Sequence, residues 1–142
     1  MDKGYIRPIS IGIFRKQDTI LVFQGFDAKK QSYYYRPIGG GIEYGEKSVN
    51  TLKRELLEEL GADITNIHLL GVVENIFTDN ENLGHEIVFV HEATFVEHSF
   101  YEKTSLRGYQ DDGEPFLLYW KSMSDFKNGK LRLVPDGLTD LL

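Results

Sequence analysis

From Glu46 to Leu60 the chain carries neither Gly nor Pro, and Val49, Leu52, Leu56 and Leu60 recur at steps of three and four. That spacing puts the four on one face of an amphipathic helix. On either side of it the pattern changes to alternation. Residues 5–14 (YIRPISIGIF) and, after the polar RKQDT, the run ILVFQGF predict two strands joined by a tight turn, with Arg7 and Pro8 interrupting the first. DAKKQS reads as a surface loop, and Ser32 to Arg36 as a short aromatic strand ending at Pro37. Beyond the helix, ITNIHLLGVVENIF predicts a strand and TDNENLG a polar turn. HEIVFVHEATFVE is the clearest long strand: Ile87, Phe89, His91, Ala93 and Phe95 alternate with Val88, Val90, Glu92, Thr94 and Val96. Both faces are largely apolar, as in a central strand covered on two sides.

Ser99 to Gly113 has little periodicity and reads as a loop on the substrate side of the molecule. PFLLYWKSM returns to a strand. SDFKNG predicts a short helix with Ser124 as its cap and Gly129 as its stop. LRLVPDGLTDLL then gives a brief extended piece and a terminal helix. Strands dominate around one strong helix, so the pattern predicts an α/β or α+β domain with a sheet covered on both faces. No repeat, linker or low-complexity tract interrupts it, and residues 1–142 read as a single domain.

Composition narrows the chemistry. A chain of 142 residues can bury roughly two thirds of its unfolded surface, and 41% hydrophobic with 13% aromatic content is that of a globular protein. A net charge of −6 without any Lys/Arg run argues against stable nucleic-acid binding, while leaving room for a local basic spot holding one polyphosphate. Absence of cysteine excludes disulfides and thiolate metal sites. MDKGYIRPIS lacks the apolar segment of a signal peptide, and no stretch approaches the ~18 apolar residues of a membrane span. The expectation is a cytoplasmic protein with no membrane contact; a homodimer is compatible with the sequence.

The candidate chemistry lies on the helix. Glu55, Glu58 and Glu59 stand at i, i+3 and i+4, which gathers three carboxylates on a face beside the apolar one. Such crowding weakens an isolated helix by roughly 0.2 to 0.5 kcal/mol per like-charged pair. A hard divalent cation would turn the same crowding into ligation. An acidic helix face alone is more commonly a solvated surface. The wider spacing overturns that reading: Gly40, five residues, Glu46, seven residues, Arg54-Glu55-Leu56, one residue, Glu58-Glu59, one residue, Gly61-Ala62. This resembles the Nudix box of the MutT-like Nudix hydrolases, departing only in Ala62, where a larger aliphatic is common.

The resemblance implies an α/β/α sandwich around a mixed β-sheet. It also implies a Mg²⁺-dependent pyrophosphohydrolase, with Mn²⁺ as an alternative ion. The reaction would cleave the diphosphate linkage of a nucleoside diphosphate joined to another moiety, such as a nucleotide, ADP-ribose, a nucleotide sugar or a dinucleoside polyphosphate. Metals are needed there because the attacked phosphorus is screened by anionic oxygens. By position, Glu55, Glu58, Glu59 and the carbonyl of Gly40 are the implied metal ligands. One glutamate would also serve as general base toward water. Arg54 would orient carboxylates through its planar fork, Glu46 would orient the site from the helix start, and Gly61 would stop the helix. Glu114, shortly before Trp120, resembles the family's additional metal ligand or catalytic base, with Glu102, Asp111 and Asp112 competing for the role.

Substrate contacts are less marked. Arg36 is placed to meet a phosphate or to lie in solvent. Tyr33 and Tyr35 are packing residues or, for one of them, a stacking surface for a base. Asn75 and Phe77 would recognise a base by hydrogen bonding and stacking, or Phe77 packs on the core. His68, His85, His91 and His98 have no metal-site spacing and read as structural or surface residues. The SQPWPFPxS array of some NADH-specific relatives is absent, and Thr78 and Asp79 stand where proline or tyrosine marks other specificities. The alternatives to a specific enzyme are a non-catalytic nucleotide-sensing module on the same scaffold and a broad housekeeping hydrolase.

Overall fold

The computed structural model describes residues 4–79 and 81–142. In chain order the elements are β1 (Ile6–Ile13), β2 (Arg15–Lys16), β3 (Thr19–Asp27), β4 (Ser32–Arg36), β5 (Ile38–Gly41), α1 (Ser48–Leu60), β6 (Ile64–Asp79), β7 (Asn82–Phe95), α2 (Ser99–Glu102), β8 (Ser105–Tyr109), β9 (Pro115–Ser122), α3 (Met123–Lys127) and a 3₁₀ turn, Leu138–Leu141. β1 and β7 run parallel at the centre of a mixed sheet ordered β5–β1–β7–β6, in which β5 pairs antiparallel with β1 and β6 antiparallel with β7. A second, antiparallel sheet is ordered β2–β3–β9–β8, and β4 pairs with β3.

Helix α1 lies on one face of the mixed sheet. A Cβ added at Gly12 of β1 would sit 3.1 Å from Leu52 of α1, so glycine lets the helix come down onto the strand. Leu52 and Leu56 are fully buried with Phe14, Phe95, Leu106 and Leu118 in one core. Phe126 of α3 and Leu138 of the 3₁₀ turn join Ile11, Val88 and Val90 in a second core on the opposite face. Helix, mixed sheet and C-terminal helices therefore make the α/β/α layering. At its C-terminus α1 ends on Gly61 at φ 65°, whose amide donates to Leu57 O at 2.9 Å while the Ala62 amide reaches Leu56 O at 3.2 Å. A left-handed turn of this kind is where glycine has the least strain.

Four sequence expectations are corrected. β1 and β3 are not hairpin partners: the chain passes between sheets at Phe14, whose ring stacks on Phe95 at 4.2 Å in one core while Ile13 enters the other. The turn expected at TDNENLG is narrower, because Thr78 pairs with Leu83 and Asp79 with Asn82; its Asn80 lies outside the described residues. Ser99 to Gly113 contains α2 and β8, a strand whose Gly108 is overlaid by the Phe116 ring; glycine there breaks the alternation. The cap of α3 is Ser122, not Ser124, since its hydroxyl accepts from the Asp125 amide. No helix among the described residues is long and apolar enough to cross a membrane.

His91 is structural, as expected, and fully buried. Burial lowers its pKa from 6.5, opposed by its backbone hydrogen bonds. Above pH 6.5 both folded and unfolded states hold it neutral. Below that value the unfolded chain takes up a proton the folded chain resists, so stability falls as pH drops from 6.5 toward the lowered folded-state value. Urea unfolding at pH 7.5 and 5.5 is expected to show a larger loss for wild type than for His91→Leu. Equal losses would contradict a buried neutral imidazole.

Candidate active site

Arg54 organises the site from the second turn of α1. Its Nε and Nη2 donate to the two oxygens of Glu46 at 2.8 and 3.0 Å, Nη2 also to the Gly41 carbonyl at 3.2 Å, and Nη1 to Glu55 at 3.0 Å and Glu58 at 3.3 Å. The guanidinium fork thus ties the glycine loop to the helix. Thr51 supports Glu46 by donating to its Oε1 at 2.7 Å. The Arg54 hydrogen bond, with help from Thr51, brings the Glu46 pKa down to about 2. Glu46 also raises the Arg54 pKa further above its ordinary value. Since α1 begins at Ser48, Glu46 precedes the helix and acts through Arg54, not through the first helical turn.

The three helix glutamates are unequal. Glu55 is buried, Glu59 half-buried and Glu58 exposed. Gly40 leaves room for the Glu55 carboxylate, which a Cβ there would force to shift. Glu59 is pushed up to about 8, first by burial and then by its hydrogen bond with Glu55, the Glu55 charge and Asp111, while Arg36 opposes the shift. Two carboxyl groups pressed together against a glycine backbone suit a hard divalent ion, which would lower the cost of ionising both. Among the described residues no three His, Asp or Glu side chains enclose an ion by themselves. The donors fit Mg²⁺ best, since it is held by few carboxylates and keeps positions for water and substrate phosphate.

The sign of the Glu59 shift gives a prediction. A folded pKa near 8 against 4.5 means Glu59 protonation stabilises the fold, and that contribution is lost as pH rises through 8. Cation binding selects the ionised form and expels the proton. Adding Mg²⁺ or Mn²⁺ at pH 7 is expected to release close to one proton per chain, read with an indicator dye. Glu59→Gln should release almost none, and equal release from both would contradict this assignment.

The other sequence candidates separate. Arg36 lies within electrostatic reach of Glu59, its guanidinium 4.9 Å over the Phe23 ring. Glu114 is exposed in the β8–β9 turn, where its amide donates to Asp112; the carboxylate acting on Glu59 from this turn is Asp111. Tyr35 is corrected from substrate contact to core: it is 5% exposed, packs edge-on against Phe126 and donates its hydroxyl to Gln24. Tyr33 is exposed against Phe26. Asn75 donates to Glu86, and Phe77 covers Gly84. Phe77, Glu86, Tyr5, Arg7 and Leu83 line an open recess of about 830 Å³. Arg7, which the sequence marked only as a strand interruption, joins this recess to the box by lying against Gly41.

A family model described as the NUDIX domain matches residues 5–137. The chain therefore belongs to the NUDIX domain family. The NUDIX hydrolase from Nitrosomonas europaea superposes with TM-score 0.64 at 15% identity, covering 96% of this chain and 86% of that one. A NUDIX-family hydrolase from Clostridium perfringens gives TM-score 0.61 at 20% identity, covering 94% of each. An RNA pyrophosphohydrolase from Wolbachia pipientis subsp. Culex pipiens is 39% identical over 62 residues, 44% of this chain and 36% of that protein. The chain spans little more than a third of the length of the curated relatives it matches.

Proposed function

We propose that the protein is a Mg²⁺-dependent pyrophosphohydrolase that cleaves the diphosphate linkage of a nucleoside diphosphate joined to another moiety. The observation that carries this reading is the Glu55–Glu59 carboxyl pair set against Gly40, with Arg54 gripping both the glycine loop and the helix. Bound there, Mg²⁺ would neutralise diphosphate oxygens and make an attacking water more acidic. Glu55, Glu59 and the Gly40 carbonyl would hold it. Glu58, the exposed member, is free to turn from Arg54 toward the ion or to accept the water's proton. Arg36, beside Glu59, would meet the substrate's phosphate charge, and Phe77 would face its base in the recess that Arg7 joins to the box, with Asn75 holding Glu86 of that recess.

A panel assay tests this: nucleoside triphosphates, ADP-ribose, nucleotide sugars, dinucleoside polyphosphates and 5′-triphosphorylated RNA, each with Mg²⁺ or EDTA. RNA is included because the relatives from Wolbachia carry that activity in their names. Turnover of at least one compound, abolished by EDTA, is expected. Binding without turnover throughout would instead favour a nucleotide-sensing module.

A further inference from the structure

Among the described residues the buried polar side chains are Ser10, Thr51, Glu55 and His91. All four belong to α1 or to the strands beneath it. On α1, Ser48, Thr51 and Glu55 follow one another at steps of three and four, a polar stripe along one face of the helix. Its lower end is tied to the sheet. Ser10 Oγ of β1 donates to the Ser48 carbonyl at 2.7 Å. Ser48 Oγ meets His91 Nε2 of β7 at 3.2 Å, while His91 Nδ1 lies 3.3 Å from the Ile11 carbonyl and 3.4 Å from Ser10 Oγ. A neutral imidazole satisfies every group: Nδ1–H donates to Ile11, and Nε2 accepts from Ser48.

Lys47 at the N-cap makes no side-chain cap bond, and the other polar ties described for this part of α1, Thr51 to Glu46 and Arg54 to Glu46 and Gly41, run to the glycine loop and not to the central strands β1 and β7. Apolar burial is non-directional, so it sets the rotation of a helix less sharply than directional bonds do. A buried hydrogen-bonded group resists displacement, because each one left unpaired costs about 1 to 3 kcal/mol. Sliding α1 by one residue, or rolling it by one position, would break the Ser10–Ser48 and Ser48–His91 bonds together. Glu55 lies seven residues further along the same helix, about 10.5 Å away, on the same stripe.

We propose that Ser10, His91 and Ser48 are positioning residues that set the rotation and axial position of α1, so that Glu55 and Glu59 meet at Gly40. The inference rests on the reading of those carboxylates as the ion's ligands. Ser48 touches none of them, and its effect is exerted through the helix.

The test compares Ser48→Ala, Ser48→Thr and His91→Leu with wild type, using Mn²⁺ affinity by electron paramagnetic resonance, kcat and KM separately, and Tm. Wild type and Glu55→Gln are titrated first. Mn²⁺ binding lost in Glu55→Gln secures the ligand reading, whereas binding unaffected by that change overturns the reading and this inference with it. With the reading secured, Ser48→Ala and His91→Leu are expected to bind Mn²⁺ about tenfold more weakly. Their kcat should fall while KM at saturating metal stays constant, and Ser48→Thr, which keeps the hydroxyl, should restore both. A folded Ser48→Ala protein with Mn²⁺ affinity and kcat within twofold of wild type would overturn the inference even if its Tm were lower. Should His91→Leu fail to fold, the Ser48 pair decides alone.

Discussion

Glu58→Gln is expected to lower kcat by at least about 10²-fold while leaving the fold intact. The exchange keeps the side chain's volume and removes one negative charge from the carboxylate face. Glu58 is 46% exposed at the side chain and is held by a 3.3 Å contact with Arg54, which is also held by Glu46 and Glu55. Little stability depends on it, so Tm should stay within roughly 2 °C of wild type. A steady-state assay on whichever substrate the panel yields, with a thermal melt of the same sample, checks both halves. An unchanged kcat would remove Glu58 from the chemistry and leave Glu55 and Glu59 as its carboxylates.

Leu56→Ala should do the reverse. Leu56 is fully buried among Phe14, Leu52, Phe95 and Leu118, so truncation removes apolar contact and leaves a cavity. Such changes cost about 2 to 5 kcal/mol, which for a chain of this size corresponds to a Tm lower by roughly 6 to 20 °C. Because the side chain points away from the carboxylates, kcat per folded molecule should be nearly unchanged at a temperature well below the transition. An unaltered Tm would contradict the orientation of α1 described above. Taken together, the two substitutions separate the face of the helix that reacts from the face that packs.

The contrast explains what was legible in the sequence. Steps of three and four fixed which face of α1 enters the core, because burial of Leu52 and Leu56 is a local consequence of helical geometry. Gly40, Glu46, Arg54 and Gly61 were readable through the resemblance to the Nudix box, whose spacing they match. The parallel pairing of β1 with β7 was not readable, since it joins strands more than seventy positions apart and leaves no local signature. The choice between packing and stacking for Tyr33 and Tyr35 stayed open for a related reason: three consecutive tyrosines alternate across β4, and only the tertiary contact with Phe126 decides which ring is inside. Asp111 and Glu114 share one turn, and the sequence does not say which carboxylate that turn directs at Glu59. The Ser48–Thr51–Glu55 stripe was not read from the sequence, because its meaning depends on His91, separated from Ser48 by 43 positions.

The most direct measurement of the central claim is a crystal of the protein soaked in Mn²⁺ and recorded for anomalous scattering. The account predicts a peak bounded by the carboxylates of Glu55 and Glu59 and the carbonyl of Gly40, and its loss in Glu55→Gln. A peak elsewhere on the chain, or none at this position at saturating Mn²⁺, would contradict it.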